Sequence, residues 1–234
     1  MKYLFIIFLL MRTLGAFGQT ATFFFEKGLS KTLQKDPTSA IQYYSKAIEL
    51  NPRYKEAFYF RGLSKTALEN NKGAIEDHSK AIELDPKYKE ALYARGSVKL
   101  SLFDDRGAIL DLNLAIELDP NYKEAFERRG AAKLGLKDFR GAIQDFNIAI
   151  ELDPKFIAAF KARGLSKAML EDYAGAIKDY NKAIEFDAKN KELFFLRGIS
   201  KFSLNNKHEG CLDWSKAGEL GHPEAYEMIQ KFCN

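Results

Sequence analysis

The dipeptide Arg-Gly recurs at Arg61-Gly62, Arg95-Gly96, Arg129-Gly130, Arg163-Gly164 and Arg197-Gly198, each 34 residues after the last. A fixed period of this length makes the chain an array of one small unit, whose copies bury a continuous core only by stacking. Other columns keep the same period. The glycine occurs a sixth time at Gly28, and 12 residues after each glycine stands Ala40, Ala74, Ala108, Ala142, Ala176 or, in the last unit, Gly210. A second alanine follows at Ala47, Ala81, Ala115, Ala149, Ala183 and Ala217. Asn51-Pro52, Asp85-Pro86, Asp119-Pro120 and Asp153-Pro154 close four units; Asp187-Ala188 and Gly221-His222-Pro223 take their place in the last two. Six units therefore span 21–54, 55–88, 89–122, 123–156, 157–190 and 191–224. An array of this kind presents a surface rather than a catalytic pocket.

Each unit reads as two helices. Lys89–Leu102 carries apolar residues at helical spacing, with Gly96 as the one breaker. An Asx follows in every unit: Asp36, Asn70, Asp104, Asp138, Asp172 and Asn206. Its side-chain oxygen is suited to accept from the free N–H groups of the next helical turn. Pro37 fits the first position of the helix behind Asp36. The second helix runs to Leu50, Leu84, Leu118, Leu152, Phe186 or Leu220 and stops. The recurring glycine and first alanine lie about equally far from the turn on opposite helices, where small residues permit close approach.

The pattern resembles the tetratricopeptide repeat (TPR), on Leu92, Gly96, Leu102, Ala108, Ala115 and Pro120 in one unit and on matching residues in the others. The resemblance covers residues 21–224. It departs from the family in two columns. Arg stands before the glycine where a large apolar residue is usual, and Lys65, Lys99, Lys133, Lys167 and Lys201 stand where Tyr is usual. The resemblance implies an all-α fold, a right-handed α-solenoid whose first helices line a concave groove for peptides or partner proteins. It implies a non-enzymatic interaction scaffold with no cofactor. TPR domains that grip chaperone C-termini use Lys, Asn and Arg in the groove; the first-unit places here hold Phe25 and Leu29, which does not support that role.

The N-terminus is a separate element. Lys2, the apolar run Tyr3–Met11 and the small residues Ala16 and Gly18 read as a secretory signal peptide over 1–18. The apolar run is too short for a bilayer span, which needs about 20 residues. The expectation is an exported chain, periplasmic or extracellular. Gln19 after the cut resembles exported proteins of some Gram-negative bacteria. An uncleaved N-terminal anchor is the alternative. The solenoid is then 19–222, with a capping helix over 223–234.

Little in the chain suggests chemistry or nucleic-acid binding. The net charge is +4, with Lys and Arg spread among acids, so no basic footprint for nucleic acid stands out. His78 shares a column with Tyr44, Phe146, Tyr180 and Trp214 and reads as a packed ring. His208, Cys211, His222 and Cys233 have no spacing typical of a zinc finger. No nucleophile with an oriented base emerges, and no catalytic or metal-binding residue is assigned.

Three sets of residues invite a structural reading. Arg61, Arg95, Arg129, Arg163 and Arg197 are each followed 16 residues later by Asp77, Asp111, Asp145, Asp179 and Asp213; the first unit has Lys27 and Tyr43, so both members change together. A buried charge requires a partner, so a ladder of Arg–Asp pairs is expected, the alternative being Arg side chains that snorkel to solvent. A second stripe of the first helices is largely apolar, and its candidate ligand-groove residues are Phe25, Tyr59, Leu63, Tyr93, Leu100, Glu127, Lys161, Phe195, Ile199 and Phe202. Contact between neighbouring first helices is the other use for that stripe. Finally, Cys211 occupies a column that is otherwise Ile, and folding a C-terminal helix back about His222 sets Cys211 and Cys233 at one height. A Cys211–Cys233 disulfide pinning the cap is expected, with Gly210 relieving crowding beside the sulfur.

Overall fold

The turn inside each repeat determines how its two helices meet. The computed structural model describes residues 20–233, among which there are thirteen helices and no strand. The segment read as a signal peptide lies outside the described residues. The chain divides into two units at Leu118/Asp119. The first contains α1 (20–33), α2 (Pro37–Leu50), α3 (Lys55–Ala67), α4 (Asn71–Leu84), α5 (Lys89–Ser101) and α6 (Asp105–Leu118). The second contains α7 (Lys123–Gly135), α8 (Phe139–Leu152), α9 (Ile157–Met169), α10 (Tyr173–Phe186), α11 (Lys191–Ser203), α12 (Lys207–Glu219) and α13 (Ala225–Phe232). From α3 on, each odd-numbered helix up to α11 packs most heavily on the helix that follows it.

The hinge between paired helices is short and uses no glycine. Lys35, Glu69, Phe103, Lys137, Glu171 and Asn205 all adopt left-handed backbone, with φ between 57° and 64°. This conformation costs about 1 kcal/mol for a residue with a Cβ, and it closes a Schellman turn. The amide of Asn70 donates to the carbonyl of Lys65 at 2.9 Å and that of Glu69 to Thr66 at 2.9 Å. The next residue is the Asx cap. Asp36, Asn70, Asp104, Asp138 and Asp172 accept from the backbone N–H three residues on, at 2.9–3.1 Å. Asn206, expected to do the same, makes no such side-chain bond. Its third residue on is Glu209, whose carboxylate reaches Lys201 at 3.1 Å instead.

The recurring glycine lets the paired helices approach closely, as expected: a Cβ on Gly96 would lie 3.3 Å from the carbonyl of Ala108. The glycine faces the ring column on the paired helix more closely than it faces the alanine. A Cβ on Gly130 would lie 2.7 Å from the Phe146 ring, and one on Gly164 2.7 Å from Tyr180. Gly28, Gly62 and Gly198 meet Tyr44, His78 and Trp214 in the same way. The glycine therefore seats a large side chain directly on the first helix's backbone, with Leu112 in place of a ring over Gly96, and Tyr44, His78, Leu112, Phe146, Tyr180 and Trp214 are all fully or almost fully buried. Gly210 likewise lies against the carbonyl of Gly198 and against Phe202, so its role is helix approach rather than room for the Cys211 sulfur.

Candidate partner-binding face

The arginine column builds the most regular feature of the molecule. In each of five repeats the guanidinium grips the aspartate with two bonds: Arg61 Nε and Nη2 to Asp77 at 2.9 and 2.7 Å, Arg95 to Asp111 at 2.9 and 2.6 Å, Arg129 to Asp145 at 3.0 and 2.6 Å, Arg163 to Asp179 at 3.0 and 2.6 Å, and Arg197 to Asp213 at 2.8 and 2.6 Å. This is the planar fork that suits a carboxylate best. The sequence reading missed the third member. Lys65, Lys99, Lys133 and Lys167 reach the same aspartates at 2.8 Å, and Lys201 reaches Asp213 at 3.0 Å. The lysines that depart from the TPR pattern thus complete an Arg–Asp–Lys triad. Their fixed spacing of 12 residues ahead of the aspartates was the available signal.

Each triad is tied further. Arg61 and Arg95 donate through Nη1 to Ser45 and Ser79 at 3.0 Å, and Arg163 and Arg197 to Asn147 and Asn181 at 2.7 and 2.6 Å. These acceptors lie on the second helix of the preceding repeat, so the triad links repeats as well as paired helices. Arg61, Arg129, Arg163 and Arg197 also lie over Phe58, Phe126, Phe160 and Phe194 at 5.2–5.4 Å. In the first repeat the ring system substitutes for the ions: Lys27 lies over Phe23, and Tyr43 stacks near Phe24.

The inner stripe differs between the units. In the first, Phe25 contacts Tyr54 at 4.9 Å and Phe60 at 5.6 Å between ring centroids, and Tyr59 contacts Phe60 and Tyr88 at 5.1 Å each. All five rings are half-buried, as are Leu63, Tyr93 and Leu100. Burial raises the phenol pKa values of Tyr54, Tyr59 and Tyr88 above the ordinary tyrosine value. The stripe is therefore both surface and neighbour contact. A small cavity of about 370 Å³ adjoins it, lined by Thr32, Lys35, Pro37, Leu63, Ser64 and Ala67.

In the second unit the stripe is charged at two positions. Lys161 pairs with Glu192 at 2.8 Å, and Glu127 lies 3.4 Å from Arg128. Burial holds the Glu127 carboxyl above the ordinary range, against the pull of Arg128 and Lys161. One expected groove residue, Phe195, is drawn into the core, and two others, Ile199 and Phe202, are partly covered. Phe195 is buried and stacks on His222 at 3.9 Å; Ile199 and Phe202 pack on the terminal cluster, with Phe202 against Trp214 and Phe232. The reason is local: this is the last first-helix, and the cap folds over its stripe. Of the candidate groove residues Phe195 is therefore buried, while Phe25, Tyr59, Leu63, Tyr93, Leu100, Glu127, Lys161, Ile199 and Phe202 are partly exposed.

The cap is α13, whose Met228 and Ile229, with Cys233 just after the helix, join Trp214 and Ala217 in one cluster. Cys211 and Cys233 form a disulfide, with Cα atoms 5.9 Å apart. Gly218 seats the ring of Tyr226 beside it. His78 has neither ring nitrogen bonded, and burial lowers its pKa to about 4. Among the described residues no three His, Cys, Asp or Glu side chains gather as metal ligands, and no helix is long and apolar enough to cross a membrane.

Helix pairs with this glycine–ring seat and a concluding cap helix define a TPR-type α-solenoid fold. Two profiles, each described as Tetratricopeptide repeat, match residues 21–54 and 89–122, and residues 128–191. Together they cover more than half of the sequence, and the chain belongs to the tetratricopeptide-repeat family. Among solved structures, MamA protein is 27% identical over 75% of this chain and 96% of its own, with a TM-score of 0.66. Pseudomonas aeruginosa pilF is 17% identical over 92% of this chain and 99% of its own, with a TM-score of 0.80. YrrB, described as a TPR protein with an unusual peptide-binding site, is 19% identical over 80% of this chain and 97% of its own, with a TM-score of 0.66. Among curated proteins none matches the sequence significantly.

Proposed function

We propose that the chain is an exported, non-enzymatic scaffold that holds a peptide or partner protein along the inner stripe of its first helices. The aromatic run of the first unit carries this reading. Phe25, Tyr54, Phe60, Tyr59 and Tyr88 form a chain of touching rings, each half-buried and half open to solvent. Rigid aromatic surface binds at low entropic cost and anchors extended or helical segments. The peptide-binding site named for YrrB is consistent with this use of the fold. Export is supported by the apolar run ahead of Ala16 and Gly18 and by the Cys211–Cys233 disulfide. A second reading, an assembly subunit of an envelope complex that uses its outer faces, is favoured by exposed Leu110 and Leu114.

The test is crosslinked capture from the native envelope fraction, identified by mass spectrometry. The Tyr59→Ala/Tyr93→Ala chain, with helical circular dichroism retained, should capture the partner about tenfold less well. Capture untouched by that pair of changes, but lost on changing Leu110 and Leu114, would favour the outer-face reading.

A further inference from the structure

The outer faces of the second helices repeat a polar pattern, which α6 breaks. Two positions one turn apart hold Gln42 and Lys46 in α2, Glu76 and Lys80 in α4, and Lys178 and Lys182 in α10. One of the two is apolar in α8 (Ile148) and in α12 (Leu212). In α6 both are apolar: Leu110 is 66% exposed and Leu114 47% exposed. The change also releases a charge. Lys80 pairs with Glu83 at 2.7 Å and Lys182 with Glu185 at 2.8 Å, each three residues on. Leu114 replaces that lysine in α6, and Glu117 is exposed with no ion pair among the described residues. Arg106, exposed at the other end of the stripe, has none either.

We propose that this face of α6 pairs two copies of the chain about a two-fold axis. Arg106 and Glu117 lie 11 residues apart on one side of the helix, a separation of about 17 Å spanning three turns. Leu110 and Leu114 fall between them. A second α6 laid antiparallel sets Arg106 of each copy opposite Glu117 of the other and leucines against leucines. This is the self-complementarity that an isologous interface requires. The leucines supply the apolar area, while the two symmetric ion pairs define direction and register. A single helix face is smaller than a standard interface, so the association is weak, in the micromolar range.

Sedimentation equilibrium of the full chain tests this, from about 1 to about 200 μM. A reversible monomer–dimer equilibrium is expected. Leu110→Gln/Leu114→Lys, which gives α6 the residue types of its sister helices, should raise the dissociation constant about tenfold or more without loss of helix. Arg106→Glu and Glu117→Arg should each abolish self-association, because each places like charges together at both ends. Mixed in equal amounts, those two variants should dimerise again, since each now complements the other. A wild-type chain that stays monomeric across the range overturns the proposal. A mixture that fails to recover overturns it as well.

Discussion

The two units share a skeleton and differ along one stripe. Both carry the Asx-capped left-handed hinge, the glycine under a large side chain and the Arg–Asp–Lys triad, at nearly the same distances. Yet the position that reads Phe25, Tyr59 and Tyr93 in the first unit reads Glu127, Lys161 and Phe195 in the second. The column seated on the glycine, buried against the paired helix, varies only among large side chains that pack there: Tyr44, His78, Leu112, Phe146, Tyr180 and Trp214. The inner stripe only partly faces another helix, so it is free to differ, and it is there that the proposed function places the partner.

If the skeleton is common, breaking it should cost the same in either unit. Asp77 and Asp145 are almost fully buried, each between an arginine and a lysine. Asp77→Ala or Asp145→Ala leaves two cations uncompensated and should cost about 4 kcal/mol. Urea unfolding followed by circular dichroism measures both. Losses below about 1 kcal/mol would mean that the triads are solvated pairs of little consequence.

The units should separate when the cap is released. The Cys211–Cys233 bond closes a loop with a sequence separation of 22, and its reduction should destabilise the end of the second unit by about 3 kcal/mol. Trp214, the single tryptophan, is buried in the same cluster and reports this directly by fluorescence. The first unit should show no change on reduction; equal loosening of both would refute a local role for the bond.

Acid should act in the opposite sense, on the first unit. His78 is buried with neither ring nitrogen bonded, whereas the second unit has Phe146, Tyr180 and Trp214 in the same column. Its folded pKa lies at about 4, below the ordinary value of 6.5. The unfolded chain therefore binds a proton that the folded chain does not, and stability falls as pH drops below the ordinary value. About 2 kcal/mol should be lost by about pH 5. His78→Tyr should abolish that loss, its hydroxyl facing Thr66 as Tyr44 faces Thr32 at 2.8 Å. Stability of the variant that still falls by that amount would place the acid response elsewhere.

Most of the skeleton was legible in the sequence because repetition compares each residue with five sister positions. The co-varying change to Lys27 and Tyr43 marked the Arg–Asp ladder, and the column shared with Tyr44 and Trp214 placed His78 in the core. The lysine of each triad was visible only as a departure from the family, since nothing local says that one aspartate holds two cations. The left-handed hinge was hidden because Lys, Glu and Phe carry no signal for positive φ. Phe195 was misplaced, and Ile199 and Phe202 are partly covered, for a different reason. Their stripe is the same as in earlier repeats, but what covers it is the cap, and periodicity is silent about where an array ends.

The smallest expected effect concerns the charged part of the inner stripe. Burial raises the Glu127 carboxyl pKa, so its folded value lies above its unfolded value. The ionised form is thus disfavoured by folding. Its penalty is fully present at neutral pH and fades as pH falls through the folded value, disappearing below the unfolded one. Glu127→Gln should accordingly be more stable than the parent at neutral pH by under about 1 kcal/mol, and equal to it in acid. Denaturant midpoints at the two pH values decide this. A glutamine variant less stable at neutral pH would show that Arg128 and Lys161 outweigh burial, making Glu127 part of the skeleton. A gain would leave Glu127 as a residue kept at some cost to folding, which is what a partner contact in the second unit requires and what the aromatic stripe of the first does not.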